Sequence, residues 1–349
     1  MKTFQFVEVS PGTPYEMGKQ YGEQAGSKIR AGVDGYKKMF TERLGVDWEK
    51  AKRRALAHVP LVESAFPEIL EECRGIADGA GVGFDDIMLL NCRYEILKFP
   101  QANECTSFAV LPEASGGSVT YVGQNWDYRA GIIDSIVVIR AKEQDGTRVI
   151  GLAEAGQVIR NGMNSHGIGL CANNLQSIYD SAGVGIPSTF MRRAVLRCRS
   201  FKEAVETVKK AARAVSCNYM LASAEGAAVD LETYPGGVDE IHPTQGIVAH
   251  ANHFVVQSHI HALETSPRGD RLQELLSAKR GSIDVAHIMK CLCDHANYPQ
   301  AICRHPRDVT IPLEYRSITV GSAIYDLTRG VAFVAAGPPC EAEYVKYSL

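Results

Sequence analysis

The chain has 349 residues, 45% hydrophobic and 22% charged, the balance of an ordinary globular protein with room for one large domain or two modest ones. Thirty-seven Lys and Arg against forty Asp and Glu leave a net charge of −3, so there is no electrostatic case for nucleic acid or an anionic membrane. No apolar run approaches the ~20 residues that span a bilayer, the first eight residues lack the apolar core of a secretory signal, and ten cysteines then point to reduced thiols in a cytoplasm.

The first hundred residues read as helical. Thr13-Pro14-Tyr15-Glu16 has the form of a capping box with proline at the first helical position. Gly18, Gly22 and Gly26 recur every four residues. On a helix they form one smooth stripe that lets another backbone approach, at a cost in helix propensity. Ile69, Cys73, Ile76, Ala77 and Ala80 make a second amphipathic face, introduced by Pro67 and closed between Gly79 and Gly83. Residues 84–97 read as a third helix, with Asp85 and Asp86 suited to its first turn. No long linker follows, so residues 1–104 are expected to form a helical layer packed on the rest.

From Cys105 the texture changes to strands. Residues 105–110 and 118–122 are β-prone runs around a turn from Glu113 to Gly117, a hairpin pattern. Cys105 then opens one strand and Asp127 lies beyond the end of the next, at one end of a sheet. Residues 135–140 and 149–152 bracket Gln144-Asp145-Gly146 as a further hairpin, and residues 167–171 form another short strand. Residues 190–198 and 201–213 are helical; residues 219–224 and 227–231 flank Glu225-Gly226 as a hairpin. Helices at 268–277 and 285–294 precede closing strands at 318–325 and 331–335. Hairpins, a helical pair and further strands imply an α+β layered fold.

A cysteine at a strand start is, taken alone, a buried core thiol. Cys105 stands apart through its company: the hydroxyls of Thr106 and Ser107 beside it, and Asn125, Asp127 and Arg129 in the facing strand. Asn125, Asp127, Asn252 and Arg316 are either separate turn and surface residues or parts of one site with Cys105. Other constellations compete. Cys291-x-Cys293-x-His295 with Cys303 and His305 invites a metal, but the spacing is not that of a C-x₂₋₄-C pair. His250, His253, His259 and His261 lie in a segment that looks strand-like, where an i, i+3 pair does not converge. No metal ligand and no cofactor is therefore assigned. A papain-type arrangement, with Cys105 deprotonated by His250 or His253, stays open, as does a non-catalytic binding protein.

Several blocks resemble a known family over nearly the whole chain. They are Gly12-Thr13-Pro14-Tyr15-Glu16-Met17-Gly18, Arg74-Gly75-Ile76-Ala77, Glu104-Cys105-Thr106-Ser107 and Gly123-Gln124-Asn125-Trp126-Asp127. Glu154-Ala155-Gly156, Asn164-Ser165-His166-Gly167, His250-Ala251-Asn252-His253, Asn297-Tyr298-Pro299 and Ile302-Cys303-Arg304 complete them. The family is that of the penicillin acyltransferase-like (acyl-coenzyme A:6-aminopenicillanate acyltransferase, peptidase C45) N-terminal-nucleophile hydrolases. The Gln-Asn-Trp-Asp block and the Asn-His pair are its specific parts.

The resemblance implies a four-layer αββα sandwich and a precursor that cleaves itself between Glu104 and Cys105. Residues 1–104 would remain as a tightly bound small subunit, residues 105–349 would form the catalytic subunit, and the two would make one compact unit. The freed α-amino group, with a pKa of about 7.7–8.0, can take the thiol's proton near neutral pH without a histidine. By the same resemblance Cys105 is the nucleophile, Asn252 donates to the oxyanion, and Asp127 accepts from the new amine. Arg316 stabilises charge or pairs with Asp127, and Ser107 assists self-cleavage. Glu104 is a departure: the family carries glycine there, and glutamate costs more at positive φ.

The implied substrate is a small N-acyl amide, with acyl transfer from a coenzyme A thioester as the alternative. Hydrolysis is preferred, because Gly183-Val184-Gly185 is too short for a dedicated phosphate-binding loop. Tyr347-Ser348-Leu349 shares only its last residue with a peroxisomal tripeptide, which fits a cytoplasmic enzyme. Assembly into a homo-oligomer stays open.

Overall fold

The computed structural model describes residues 2–97, 105–261, 265–306 and 310–349. Its strands are β1 (Gln5–Val9), β2 (Cys105–Val110), β3 (Tyr121–Arg129), β4 (Ile136–Lys142), β5 (Arg148–Glu154), β6 (Asn161–Asn164), β7 (Ile168–Asn174), β8 (Cys217–Ser223), β9 (Ala227–Tyr234), β10 (Gly237–Ile241), β11 (Ile247–His250), β12 (Ser317–Asp326), β13 (Val331–Ala335) and β14 (Tyr344–Ser348). The helices are α1 (Pro14–Lys38), α2 (Trp48–Leu56), α3 (Val59–Ala65), α4 (Pro67–Ala80), α5 (Phe84–Asn91), α6 (Arg93–Leu97), α7 (Ser188–Val195), α8 (Phe201–Lys210), α9 (Arg268–Ser277) and α10 (Val285–Leu292).

The strands form two sheets. Eight pair in the order β1-β4-β5-β6-β7-β8-β9-β10, and six in the order β11-β2-β3-β12-β13-β14. Three apolar layers place these sheets and the helices. Val137 and Ile139 of β4 point into one layer with α1, α2, α4, α5, α7 and α8. Their neighbours Ile136 and Val138 point into the layer between the sheets, opposite Val122, Trp126 and Tyr128 of β3. Phe108 and Val110 of β2 face Leu272 and Leu276 of α9 and Ile288 and Leu292 of α10. Successive strand side chains alternate faces, and a strand covered on both sides reads as an unbroken apolar run. The result is helices, sheet, sheet, helices: the four-layer αββα order.

The helices before Cys105 are part of this packing. Thr13 caps α1 reciprocally with Glu16, as its sequence predicts. The glycine stripe works as a groove: a Cβ on Gly22 would lie 2.4 Å from the Ile76 carbonyl, and one on Gly75 would lie 2.0 Å from the Tyr15 carbonyl. Gly18 and Gly79 meet the opposite backbone in the same way, so four glycines from α1 and α4 let the two helices touch along their main chains. Asn91 donates to the Gly156 carbonyl and accepts from Val158 N–H, and Gln157 donates to the Leu90 carbonyl. Arg193 of α7 binds Glu72 of α4 at 2.8 Å with both side chains almost fully buried. No helix among the described residues is long and apolar enough to cross a membrane.

Some expectations need correction. The first hundred residues are not all helical: β1 pairs parallel with β4 and caps the edge of the larger sheet. The third helix breaks at Cys92 into α5 and α6. The strand after the first hairpin does not stop at Val122. It runs on to Arg129, because the Gln124 amide, the Asn125 amide nitrogen and the Asp127 carboxylate find partners inside the fold and need no turn.

The close α1–α4 approach predicts that Gly22→Ala and Gly75→Ala each destabilise the protein by about 1–3 kcal/mol in urea unfolding, as overpacking does. Gly35 lies in the same helix with nothing within 4 Å of its Cβ position. Gly35→Ala is expected to leave stability unchanged or raise it by up to about 1 kcal/mol.

Candidate active site

The site forms where β2 begins. Cys105 pairs with Trp126 in register, so both side chains point into the space between the sheets, and Cys105 is 5% exposed. Its backbone N–H donates to Asn252 Oδ1 at 2.7 Å, and its Sγ faces the Asp127 carbonyl at 3.9 Å. Asn252 sits in the loop just after β11, the strand that pairs with β2 and delivers that loop to the Cys105 end of the sheet.

A second residue shares the Asn252 oxygen. Arg268, the first residue of α9, donates one Nη2 hydrogen to Asn252 Oδ1 at 2.6 Å and Nη1–H to Asp127 Oδ2 at 3.0 Å. Both partners of that ion pair are fully buried. Thr319 of β12, directly opposite Asp127 on β3, donates its hydroxyl to the other carboxylate oxygen at 2.6 Å. A β-bulge follows at once, with Val320 as the extra residue, a common device beside functional sites. Burial pushes the Asp127 carboxyl up to about 6 against the pull of Arg268, Arg304 and Thr319. At pH 7 it is therefore an anion clamped by Arg268.

These contacts fix the Asn252 amide. Its oxygen takes two donors, so the nitrogen is the outward group, and it donates to the Asn174 carbonyl at 2.9 Å. An amide nitrogen carries two hydrogens, which leaves the second for another acceptor. Ser107, two residues along β2 and on the same face as Cys105, accepts from Asn173 Nδ2 at 2.8 Å. Asn173 Nδ2 also lies 3.1 Å from Asn218 Oδ1 and 3.2 Å from the His250 carbonyl, so its two hydrogens are shared among three acceptors, and its Oδ1 accepts from Gln124. A seam of buried amides thus links the two sheets behind the cysteine.

The histidines do not converge on Cys105 as a general base requires. His250 is buried, with Nδ1 2.8 Å from the Ala251 carbonyl and Nε2 2.8 Å from Glu232 Oε1. Both partners are acceptors, so both ring nitrogens must donate and the ring is an imidazolium. Burial opposes that charge, but Asp230 and Glu232 hold its pKa above the usual histidine value. Burial, with the neighbouring rings of His250 and His261, lowers that of His253, whose Nδ1 accepts from Ser266 N–H. Glu232 also takes the N–H groups of Val255 and Val256, so the His250–Glu232 pair anchors the Asn252 loop.

The structure thus gathers Cys105, Asp127, Asn252 and Ser107, while Glu104 lies outside the described residues. Arg316 precedes β12, where its Nε donates to the Ile311 carbonyl at 2.7 Å. The guanidinium on Asp127 belongs to Arg268, which the sequence reading treated only as the start of a helix. One signal was available: a cation in the first turn of a helix opposes the macrodipole, so it needs another reason to be there. Trp126, beside Cys105, carries the Arg160 guanidinium 4.4 Å from its ring centroid. Arg160 Nε and Nη1 are buried and have no hydrogen-bond partner among the described residues.

The chain is similar to several known proteins. A protein of Emericella nidulans, the 40 kDa form of acyl-coenzyme A:6-aminopenicillanic-acid-acyltransferase, is 26% identical over 340 residues, 94% of this chain and 91% of its own length. Among solved structures, a variant of conjugated bile acid hydrolase from Clostridium perfringens superposes with a TM-score of 0.49 and 16% identity over 66% of this chain and 89% of that one. A Caenorhabditis elegans ortholog of N-acylethanolamine-hydrolyzing acid amidase superposes with a TM-score of 0.47 and 16% identity over 64% and 93%. The profile of the family described as acyl-coenzyme A:6-aminopenicillanic acid acyl-transferase matches residues 114–339, more than half of the sequence and the part that carries Asp127, Asn252, Arg268 and Arg316. The chain belongs to that acyl-transferase family.

Proposed function

We propose that this protein is a self-processing cysteine amidohydrolase, cleaved after Glu104 so that Cys105 becomes the first residue of a new chain. The observation that carries the reading is the placement of Cys105. One residue at a strand start offers its nitrogen to Asn252 Oδ1 and its sulfur to the space between the sheets. A free amine at that nitrogen, with a pKa of about 7.7–8.0, takes the thiol proton, and one residue supplies nucleophile and base. The doubly donating His250 speaks against a papain-type base.

In this scheme the thiolate attacks the carbonyl carbon of an N-acyl amide. The oxyanion takes the second Asn252 Nδ2 hydrogen. Collapse breaks the C–N bond, the Cys105 ammonium returns a proton to the leaving amine, and an acyl-thioester remains. Water then attacks the thioester, giving its proton to the Cys105 amine and freeing the acid. Asp127 and Arg268 are positioning residues that hold the Asn252 oxygen and with it the amine. Ser107, oriented by Asn173, is the hydroxyl placed to assist self-cleavage. The core shared by α1, α4 and α5 with the larger sheet supports a cleaved leader that stays bound. The family match and the Emericella nidulans relative favour a second reading, acyl transfer from a coenzyme A thioester to an amine, on the same residues. Arg160 beside Trp126 supports a substrate with an anionic group.

Four measurements test this. Intact mass is expected to show two chains, the larger beginning at Cys105, with Cys105→Ala uncleaved and inactive. Full-length protein that turns over would overturn the scheme. Acyl-enzyme mass spectrometry with N-acyl amides and acyl thioesters, with and without a carboxylate, should label Cys105 and separate hydrolysis from transfer. Protonation of the Cys105 amine sets the acid limb of kcat/KM; a further fall is expected near pH 6, where Asp127 takes a proton and loosens Arg268, and that second fall should vanish in Asp127→Asn. The raised carboxyl pKa also means that this group's contribution to stability decreases as pH rises from about 4 to 6. Arg268→Met leaves Asp127 an unpaired buried charge, and denaturant unfolding should show a loss of about 3–5 kcal/mol.

A further inference from the structure

Far from the catalytic thiol in sequence, four metal-binding side chains meet on the other side of Asn125 and Thr319. His295, Cys303 and His305 come from the loop after α10, and Cys340 from the loop between β13 and β14. Their ligand atoms all lie within 4.8 Å of one another. The sequence reading considered the first three with Cys291 and Cys293. The fold supplies Cys340 in place of those two, from a segment that no local spacing connects to the others.

The distances have the pattern of a coordination shell. The two Nε2 atoms are 3.1 Å apart, the two Sγ atoms 3.5 Å apart, and His305 Nε2 is 3.2 Å from Cys340 Sγ and 3.7 Å from Cys303 Sγ. A tetrahedral ion with Zn–N of about 2.0–2.1 Å and Zn–S of about 2.3 Å has edges of roughly 3.3 Å between nitrogens and 3.8 Å between sulfurs. These four separations sit close to such edges, and the two from His295 to the sulfurs lie within 4.8 Å. Two imidazole nitrogens aimed at each other can share at most one proton between them, whereas a cation at the centre satisfies both. Behind the group, Glu341 Oε1 lies 3.5 Å from His305 Nδ1, where a carboxylate orients a ligating histidine.

We propose that His295, Cys303, His305 and Cys340 form a His₂Cys₂ site for a borderline-soft divalent cation, Zn²⁺ by donor type. With four protein ligands the shell is closed, so the site is structural and offers no position for a reacting water. Binding displaces the two thiol protons to solvent. The consequence is local and directed. The same loop lends its Ile302 carbonyl to Asn125 Nδ2 and its Arg304 N–H to Thr319 Oγ1, the hydroxyl that holds Asp127. A bound ion would tie this loop to the β13–β14 connection and stiffen the wall behind Asp127.

The test uses the full-length protein, reduced with a phosphine, stripped with EDTA and titrated with Zn²⁺ against a chromogenic chelator. One ion per chain is expected, and Co²⁺ should give thiolate charge-transfer and tetrahedral d–d bands. Cys340 and His295 are exposed, so Cys340→Ser and His295→Gln should fold and weaken binding by more than about 100-fold. Glu341→Gln should keep the stoichiometry and weaken binding about 10–100-fold, as outer-shell changes do. Zn²⁺ should raise the Tm of the wild type and not of Cys340→Ser. No binding by the reduced wild type, equal affinity in Cys340→Ser, or a Cys303–Cys340 disulfide that persists in reduced, zinc-supplemented protein would each overturn the proposal.

Discussion

The oxygen of one asparagine side chain is the point on which the site depends. Asn252 Oδ1 receives the Cys105 N–H and the Arg268 guanidinium together. Arg268 is held in turn by an Asp127 carboxylate with no access to water. Burying that pair costs solvation on both sides, so it is weak evidence for stability; what it supplies is geometry. With Oδ1 committed to two donors the amide cannot rotate, and its nitrogen is aimed outward. The position of the Cys105 nitrogen follows from the same contact.

Two features of the fold make this arrangement available. Pairing of β11 with β2 brings the loop after His250 to the end of the sheet where Cys105 stands. Packing of α9 over the smaller sheet then brings Arg268 down onto Asp127, with Leu272 and Leu276 of the same helix in the apolar layer beneath. Between the sheets, Asn173, Gln124, Asn218 and Ser107 satisfy one another instead of leaving buried amides unpaired. Such a network is strong when complete and costly when broken, which favours one register of the two sheets over any other. His250 belongs to this scaffold: Nδ1 holds the Ala251 carbonyl and Nε2 holds Glu232, and Glu232 holds the loop that carries Asn252.

The helices before Cys105 and the strands that follow it share a common core. Side chains of α1, α4 and α5 share one apolar layer with β4, β5 and β7. The α1–α4 contact is made through paired glycines, so the main chains themselves touch. A cut in the connecting segment would remove a covalent link and leave this packing in place.

The local content of the chain was legible in its sequence. The capping box of α1, the glycine stripe, the bounds of α9 and the β4–β5 hairpin depend on residues close to one another, whose periodicity and turn chemistry act over a few positions. So did the suspicion attached to Cys105, Asp127 and Asn252, which rested on residue type and on resemblance. Polar residues in β3 misled, because Asn125 and Asp127 look like turn residues until the partners that bury them are known. Only the tertiary structure could place Arg268 on Asp127, give His250 two acceptors, and add Cys340 to a cluster that starts at His295. Each of those outcomes is a distance between segments far apart in the chain, set by sheet order and helix packing, and no local pattern encodes it.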